Sequence, residues 1–245
     1  MAEMTANSPR VIQNYSNAER LVIVPGHAIY VGSEASQFSV DKYWVGGFAN
    51  EAKYYAEHAF AGIEYASNPK TLLVFSGGQT RTEVAGVLTE AQSYYLGSDQ
   101  NNFLNKAGVK ERSRVEVFAR DSFENLAFGV GVFAMTTGRM PTEIAVCGWG
   151  FKAGRYMMHA EALGIANIVQ YISVNNLAGS EADASTLLGG AIKGEAKTRD
   201  DFSKSPLGNK GILQEKKDKR DLHIRGDAAY RYYNVSELFP ILRQQ

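Results

Sequence analysis

Four times along the chain a short, almost unbroken apolar run ends abruptly in a polar loop and gives way to a longer segment of helical period. The runs are residues 21–24, 71–75, 115–119 and 143–147, and residues 168–174 supply a fifth. Apolar runs without alternation suit strands whose two faces are both covered by helices. Their regular exchange with helical segments is the pattern of strands joined by crossover helices. The expected class is therefore α/β, with a mainly parallel sheet of five strands or more. A chain of 245 residues, 44% of them hydrophobic, can bury one sizeable core, so residues 1–245 read as a single domain with a less regular extension from about residue 175.

Between the runs, residues 41–66 read as mostly helical and carry Tyr54, Tyr55, His58, Ile63 and Tyr65. Residues 82–96 read as a second helix stopped by Gly97. Ser122 is placed to cap a helix running to about Thr137, with Gly138 behind it, and a further helix runs to Leu163 ahead of Gly164. A weaker helical signal spans residues 181–202.

Lysine and arginine together number 26 and so do the acids, which gives no general attraction to nucleic acid or to an anionic membrane. The cluster Lys216-Lys-Asp-Lys-Arg220 contains an aspartate and reads as a solvated face rather than a nucleic-acid patch. The first residues hold no apolar stretch of signal-peptide length, and no segment approaches the roughly 18 apolar residues of a membrane span. Cys147 stands alone, which excludes an internal disulfide and suits a core position in a reducing compartment. A soluble, cytoplasmic protein is expected. Four histidines without paired spacing give no support to a metal site.

Ligands of open α/β sheets bind beyond the carboxyl ends of the strands, so the loops there hold the candidate site. They carry Gly26 and His27 after the first strand, and Ser76, Gly77, Gly78, Gln79 and Arg81 after the second. Arg120, Asp121, Ser122, Glu124 and Asn125 follow the third, and Trp149, Lys152 and Arg155 the fourth. Two glycines ahead of a helix let backbone approach a phosphate or carboxylate, or simply make a tight turn. Arg120 and Asp121 read either as a structural ion pair or as ligand contacts, and Asn125 needs partners for its amide if it points inward. Lys152 and Arg155 share one face near a helix start, where cations oppose the dipole and an anion or acid would explain them. His27 reads equally as a core histidine. Glu83 and Glu124 are the acids available for proton transfer. Gly148-Trp-Gly150 has no nucleophile at its centre, and no Asp-His pair can be assigned to Ser76. The turn at residues 76–81 matches neither a P-loop nor a dinucleotide fingerprint.

Taken together, Pro25-Gly-His-Ala28, Ser76-Gly-Gly-Gln-Thr-Arg81 with Glu90-Ala-Gln-Ser-Tyr94, Ala119-Arg-Asp-Ser-Phe-Glu-Asn125, and Phe151-Lys152 with Arg155 resemble the domain-of-unknown-function family of the bacterial YdcF, SanA and ElyC proteins. The resemblance is to the soluble eukaryotic branch and runs from about residue 21 to 168. It implies a Rossmann-like three-layer sandwich, with the family's Gly-Gly turn on Gly77 and Gly78, an acidic position on Glu116 and a Glu-Asn pair on Glu124 and Asn125. Lys152 stands where bacterial members often carry histidine. Residues 201–206 match an eukaryotic segment only loosely. The resemblance further implies a pocket with no settled reaction; the loop charges point to a small anionic ligand, and the cofactor is left open, with S-adenosylmethionine or a nucleotide as candidates since one relative is reported to bind the former. The expected function is a small-molecule enzyme acting on a phosphorylated or nucleotide-like ligand. The alternative is a non-catalytic nucleotide or S-adenosylmethionine sensor.

Overall fold

The computed structural model describes residues 15, 17–175, 181–221 and 225–244. Strand β1 (Arg20–Pro25) is followed by a small hairpin, β2 (Ile29–Tyr30) and β3 (Trp44–Val45), and by helix α1 (Ala52–Tyr65). Next come β4 (Thr71–Ser76), the single turn α2 (Thr82–Ala85), α3 (Glu90–Gln100) and β5 (Ser113–Glu116). Helix α4 (Ser122–Thr137) leads to β6 (Glu143–Trp149), α5 (Ala153–Ala162) and β7 (Val169–Asn175). Helices α6 (Glu181–Lys204), α7 (Gly211–Arg220), α8 (Arg225–Tyr232) and α9 (Val235–Leu238) follow.

The central sheet has the order β5-β4-β1-β6-β7, and every pair in it is parallel. Successive side chains of a strand point to opposite faces, and both faces here are apolar. Leu21 and Ile23, with Leu72, Val74, Ile144 and Val146, pack against α4 and α5. Val22 and Val24, with Leu73 and Phe75, pack against α1 and α3. The result is the three-layer α/β sandwich expected from the unbroken apolar runs. Because the chain builds outward from β1 through β4 to β5 and then crosses back to β6, the order reverses between β1 and β6. Ligand clefts in such sheets open at that point, beyond the carboxyl ends of the strands.

Several local expectations are corrected. Residues 41–66 do not form one helix: Asp41 accepts hydrogen bonds from the amides of Asn50 (2.6 Å) and Ala52 (2.9 Å), which holds a loop ahead of α1. Residues 82–96 divide at Gly86, which takes φ +57°, and α3 restarts under a capping box between Thr89 and Gln92. Gly97 is no stop but lies inside α3, where an added Cβ would fall 2.0 Å from the Phe38 ring. β5 ends at Glu116 because that carboxylate takes the amides of Phe118 and Ala119, turning the chain before residue 119. The cap of α4 is Asp121, whose Oδ1 accepts from the Glu124 amide at 2.9 Å, and Ser122 is the first residue inside the helix. Beyond residue 175 the described residues are largely helical and share the main core through Phe202, Leu213, Tyr233, Val235 and Phe239. Cys147 is fully buried, and burial pushes its thiol up to about 12. No helix among the described residues is long and apolar enough to cross a membrane.

Candidate functional site

A cavity of about 360 Å³ opens beyond the carboxyl ends of the strands. Gly26 and His27 reach it from the end of β1, Arg81 from the loop after β4, Trp149 and Lys152 from the end of β6 and the turn behind it, and Arg155 from the first turn of α5. Arg120, Asp121, Ser122 and Asn125 contribute from the start of α4. Loops more than a hundred residues apart in sequence therefore converge on one site, as the sheet order requires.

Other candidates lie elsewhere. Glu83 is exposed on α2 and does not line the cavity. Glu124 is fully buried behind the wall, held by Arg120 at 2.7 Å and Lys217 at 3.1 Å. A carboxylate enclosed by two cations has neither the access nor the free lone pairs to move a substrate proton. The Gly77 amide donates to the Glu116 carbonyl and the Gly78 amide to the Ala119 carbonyl. The first amides of α3 are likewise occupied, Glu90 N by Gly78 O and Ala91 N by Gly77 O. The two glycine amides are therefore not open to an anion, and they hold strand and helix together instead. Ser76 is buried below the cavity, its hydroxyl donating to Glu116 at 2.7 Å and lying 2.9 Å from Asn125 Oδ1. Gln79 is engaged by Arg225. Gly78 and Gln79 face a small cleft of about 10 Å³ shared with Arg220 and Arg225.

The site also contains acids that sequence reasoning missed. Glu90, at the first position of α3, lines the cavity while only 8% exposed. It sits where Gly26 and Gly77 lack side chains, for a Cβ on either would meet its Oε2 at 2.8 Å. Burial raises its pKa, while the Thr80 hydroxyl and the charges of Arg220, Arg81 and Lys152 pull the other way. Glu90 was visible in the sequence as part of the Glu90–Tyr94 segment, but inside the single helix expected over residues 82–96 nothing set it apart. Glu51 is bonded by the Tyr55 hydroxyl, and Glu195 of α6 pairs with Arg155 at 2.9 Å. Glu90 and Glu195 reach the wall from α3 and α6, and Glu51 from the residue that precedes α1.

The cations divide by environment. Arg120 is 5% exposed and is bound by Glu124, by Asp221 at 3.3 Å and by Asp227 at 3.0 Å. Lys152 Nζ lies 3.2 Å from His27 Nδ1, and burial, helped by Arg155, lowers its pKa to about 7. Burial together with Lys152 and His58 likewise keeps His27 neutral, its pKa well below the usual histidine range. Arg81 and Arg220 stand at the half-exposed rim, Arg81 donating to the Gly46 carbonyl at 3.2 Å. Arg220 belongs to the Lys216–Arg220 cluster, which is therefore not a simple solvated face: Lys217 is 2% exposed and bonded to Asp121, while Arg220 lines the cavity. Ser122 is hydrogen-bonded to His159 Nε2 at 2.8 Å within an aromatic surround, Phe202 lying 4.5 Å from the imidazole between ring centres. Among the described residues no three His, Cys, Asp or Glu side chains are grouped to hold a metal ion.

Comparison with known proteins adds one relative. An uncharacterised protein of Saccharomyces cerevisiae is 27% identical over 190 residues, covering 58% of this chain and 62% of its own. The chain thus spans less than two thirds of that relative's length. No family profile and no solved structure matches.

Proposed function

We propose that the chain is a small-molecule enzyme acting on a phosphorylated or nucleotide-like ligand held in this cavity. The observation that carries the reading is Glu90, a buried carboxyl in the cavity wall that makes no ion pair among the described residues. Burying an unpaired acid costs several kcal/mol if it is ionised, so such groups are found where a proton is to be moved. Arg81 and Arg220 at the rim supply the anion contacts, and Arg155, though paired with Glu195, faces the same space. Glu90 takes the proton-transfer role first expected of Glu83 and Glu124. From the likeness of the loop motifs to the YdcF, SanA and ElyC proteins we also propose membership of that family, which implies the pocket without naming a reaction.

Incubation of the purified chain with a pool of cellular metabolites tests the proposal. Consumption of a phosphorylated compound by the parent, lost in Glu90→Gln, supports the enzyme; unaltered retention of a compound by both proteins rejects it. The second outcome would favour a sensor for a nucleotide or S-adenosylmethionine. One observation favours that alternative: Arg220 ends α7 and also lines the cavity, so occupancy would be felt by the C-terminal helices.

A further inference from the structure

Burial makes a lysine choose between finding an acid and giving up its proton. Among the described residues Lys217 is buried and Lys152 is half-buried in the cavity wall, and they choose differently. Lys217 Nζ lies 3.2 Å from Asp121, 3.1 Å from Glu124 and 3.1 Å from the Leu207 carbonyl. Burial works against its charge, but Asp121 and Glu124 outweigh it, and its pKa lies above the ordinary value. Its job is structural. Lys152 instead makes no ion pair among the described residues, and its hydrogen-bond partner is a neutral imidazole nitrogen, His27 Nδ1, at 3.2 Å.

The surroundings of Lys152 come from five elements. Arg155 lies one turn along α5, and His27 comes from the loop after β1. His58 of α1 is within 5.3 Å of the His27 ring, centre to centre. Glu51 precedes α1, Glu90 starts α3 and Glu195 projects from α6. The three carboxyls attract the ammonium through space, yet burial and Arg155 prevail and bring the pKa to about 7, so that about half of the amine is uncharged at pH 7. Nζ and Nδ1 of His27 share one hydrogen bond, and in the tautomer in which Nζ donates, the amine lone pair is left for the cavity. Desolvation beside a second cation is a known way to make lysine a nucleophile.

We propose that Lys152 is a catalytic nucleophile whose uncharged amine attacks the carbonyl carbon of a small aldehyde or ketone that also carries a phosphate. The proposal rests on the cavity being an anionic small-molecule site and narrows its substrate class. In the step, the nitrogen lone pair forms the C–N bond as the C=O π pair moves to oxygen. The nitrogen then loses a proton and the oxygen gains one, giving a carbinolamine. The hydroxyl, protonated by Glu90, departs as water and leaves a protonated imine, whose N–H proton returns to the Glu90 carboxylate to give the imine. One carbonyl and one amine are consumed, one imine and one water are formed, and nothing is oxidised or reduced. Arg81 and Arg220 would hold the phosphate while the carbonyl faces Nζ.

The test is reductive trapping on the full chain. Glycolaldehyde phosphate is added, borohydride supplies hydride to convert any imine to a secondary amine, and the labelled peptide is located by mass spectrometry. Lys152 should be labelled roughly tenfold or more faster than exposed lysines, with a half-maximal rate near pH 7 rather than near the usual lysine value of about 10.4. Unphosphorylated glycolaldehyde should label it more slowly. Lys152→Arg and Lys152→Met, checked for an unchanged melting transition, should lose that label and keep the slow background on other lysines; if either variant is unfolded, the site and pH profile of labelling in the parent decide. No label on Lys152, or a rate and midpoint equal to those of surface lysines, overturns the proposal. Stabilisation by inorganic phosphate, read separately, distinguishes the two failures: phosphate binding without labelling leaves the anion site standing, and neither result leaves neither.

Discussion

Arg220 Nη1 donates a 2.6 Å hydrogen bond to the main-chain carbonyl of Arg120, tying the last residue of α7 to the loop that introduces α4. The same C-terminal segment reaches Arg120 again through Asp221 and Asp227, and reaches Gln79 through Arg225. Two of the loops at the strand ends are therefore clasped by helices that lie beyond residue 210. The wall of the cavity is a joint product of the α/β core and of the segment that follows it.

Anion binding should depend on the two rim arginines. Phosphate, sulfate or a nucleotide should raise the melting temperature, with about 2.7 kcal/mol expected at a hundredfold excess over the dissociation constant. Neutral sugars should not. Arg81→Met with Arg220→Met keeps the apolar stems and deletes the charges, so most of the anion-induced shift should disappear. The double variant should melt somewhat lower without ligand, because the bond to the Arg120 carbonyl is lost as well. An undiminished shift would place the anion elsewhere.

Lys217 and Lys219 are neighbours in one basic cluster but should behave oppositely. Lys217→Met removes a buried cation from Asp121 and Glu124 and leaves their charges short of a partner, at roughly 3–5 kcal/mol in urea unfolding. Lys219 is exposed, and Lys219→Met should stay within about 0.5 kcal/mol of the parent. Equal effects would mean that the buried pairing contributes nothing.

This contrast also shows what the sequence reveals and what it hides. The strands were legible because Leu21, Ile23, Val74 and Val146 belong to apolar runs whose character does not depend on distant partners. The convergence of His27, Arg120, Lys152 and Arg155 was legible because parallel topology puts all strand ends on one edge. Lys217 was not: a lysine between lysine and aspartate looks solvated until tertiary structure sets Asp121 and Glu124 against it. Glu90 was hidden for a related reason, since what makes it unusual is the space left by Gly26 and Gly77. Local signals predict elements; burial of charge is decided by residues far away in the chain.

Gly78 should matter for packing rather than for binding. A Cβ there would sit 2.8 Å from the Ala119 carbonyl oxygen and 3.2 Å from the Phe118 carbonyl carbon, both backbone atoms that cannot rotate away. Gly78→Ala should therefore cost about 1–3 kcal/mol of stability, measured by denaturant unfolding. Its amide already donates to Ala119, so the anion affinity of the folded fraction should be unchanged. A large loss of affinity with normal stability would restore the turn as a ligand cradle.

Glu116 should give the chain a stability term that weakens as pH rises. Its carboxyl is fully buried beneath Ser76, and burial lifts its pKa to about 7, against the hydrogen bonds from Ser76, Phe118 and Ala119 and with help from the charge of Glu124. The unfolded chain has an ordinary glutamate, with a pKa of about 4.3. Below that value both states hold the proton, and the protonated acid stabilises the fold without penalty. Between about 4.3 and 7 the unfolded state has released its proton while the native state retains it, so stability falls with each pH step. The loss levels off above the native pKa and amounts to roughly 3–4 kcal/mol in all. Glu116→Gln keeps a neutral group of the same shape at every pH, so the difference in unfolding free energy between variant and parent isolates this term from the buried histidines, which act with the opposite sign. That difference should rise in favour of the variant from pH 4 to 7 and then stay level; a difference that does not change with pH would show that Glu116 ionises normally in the native protein.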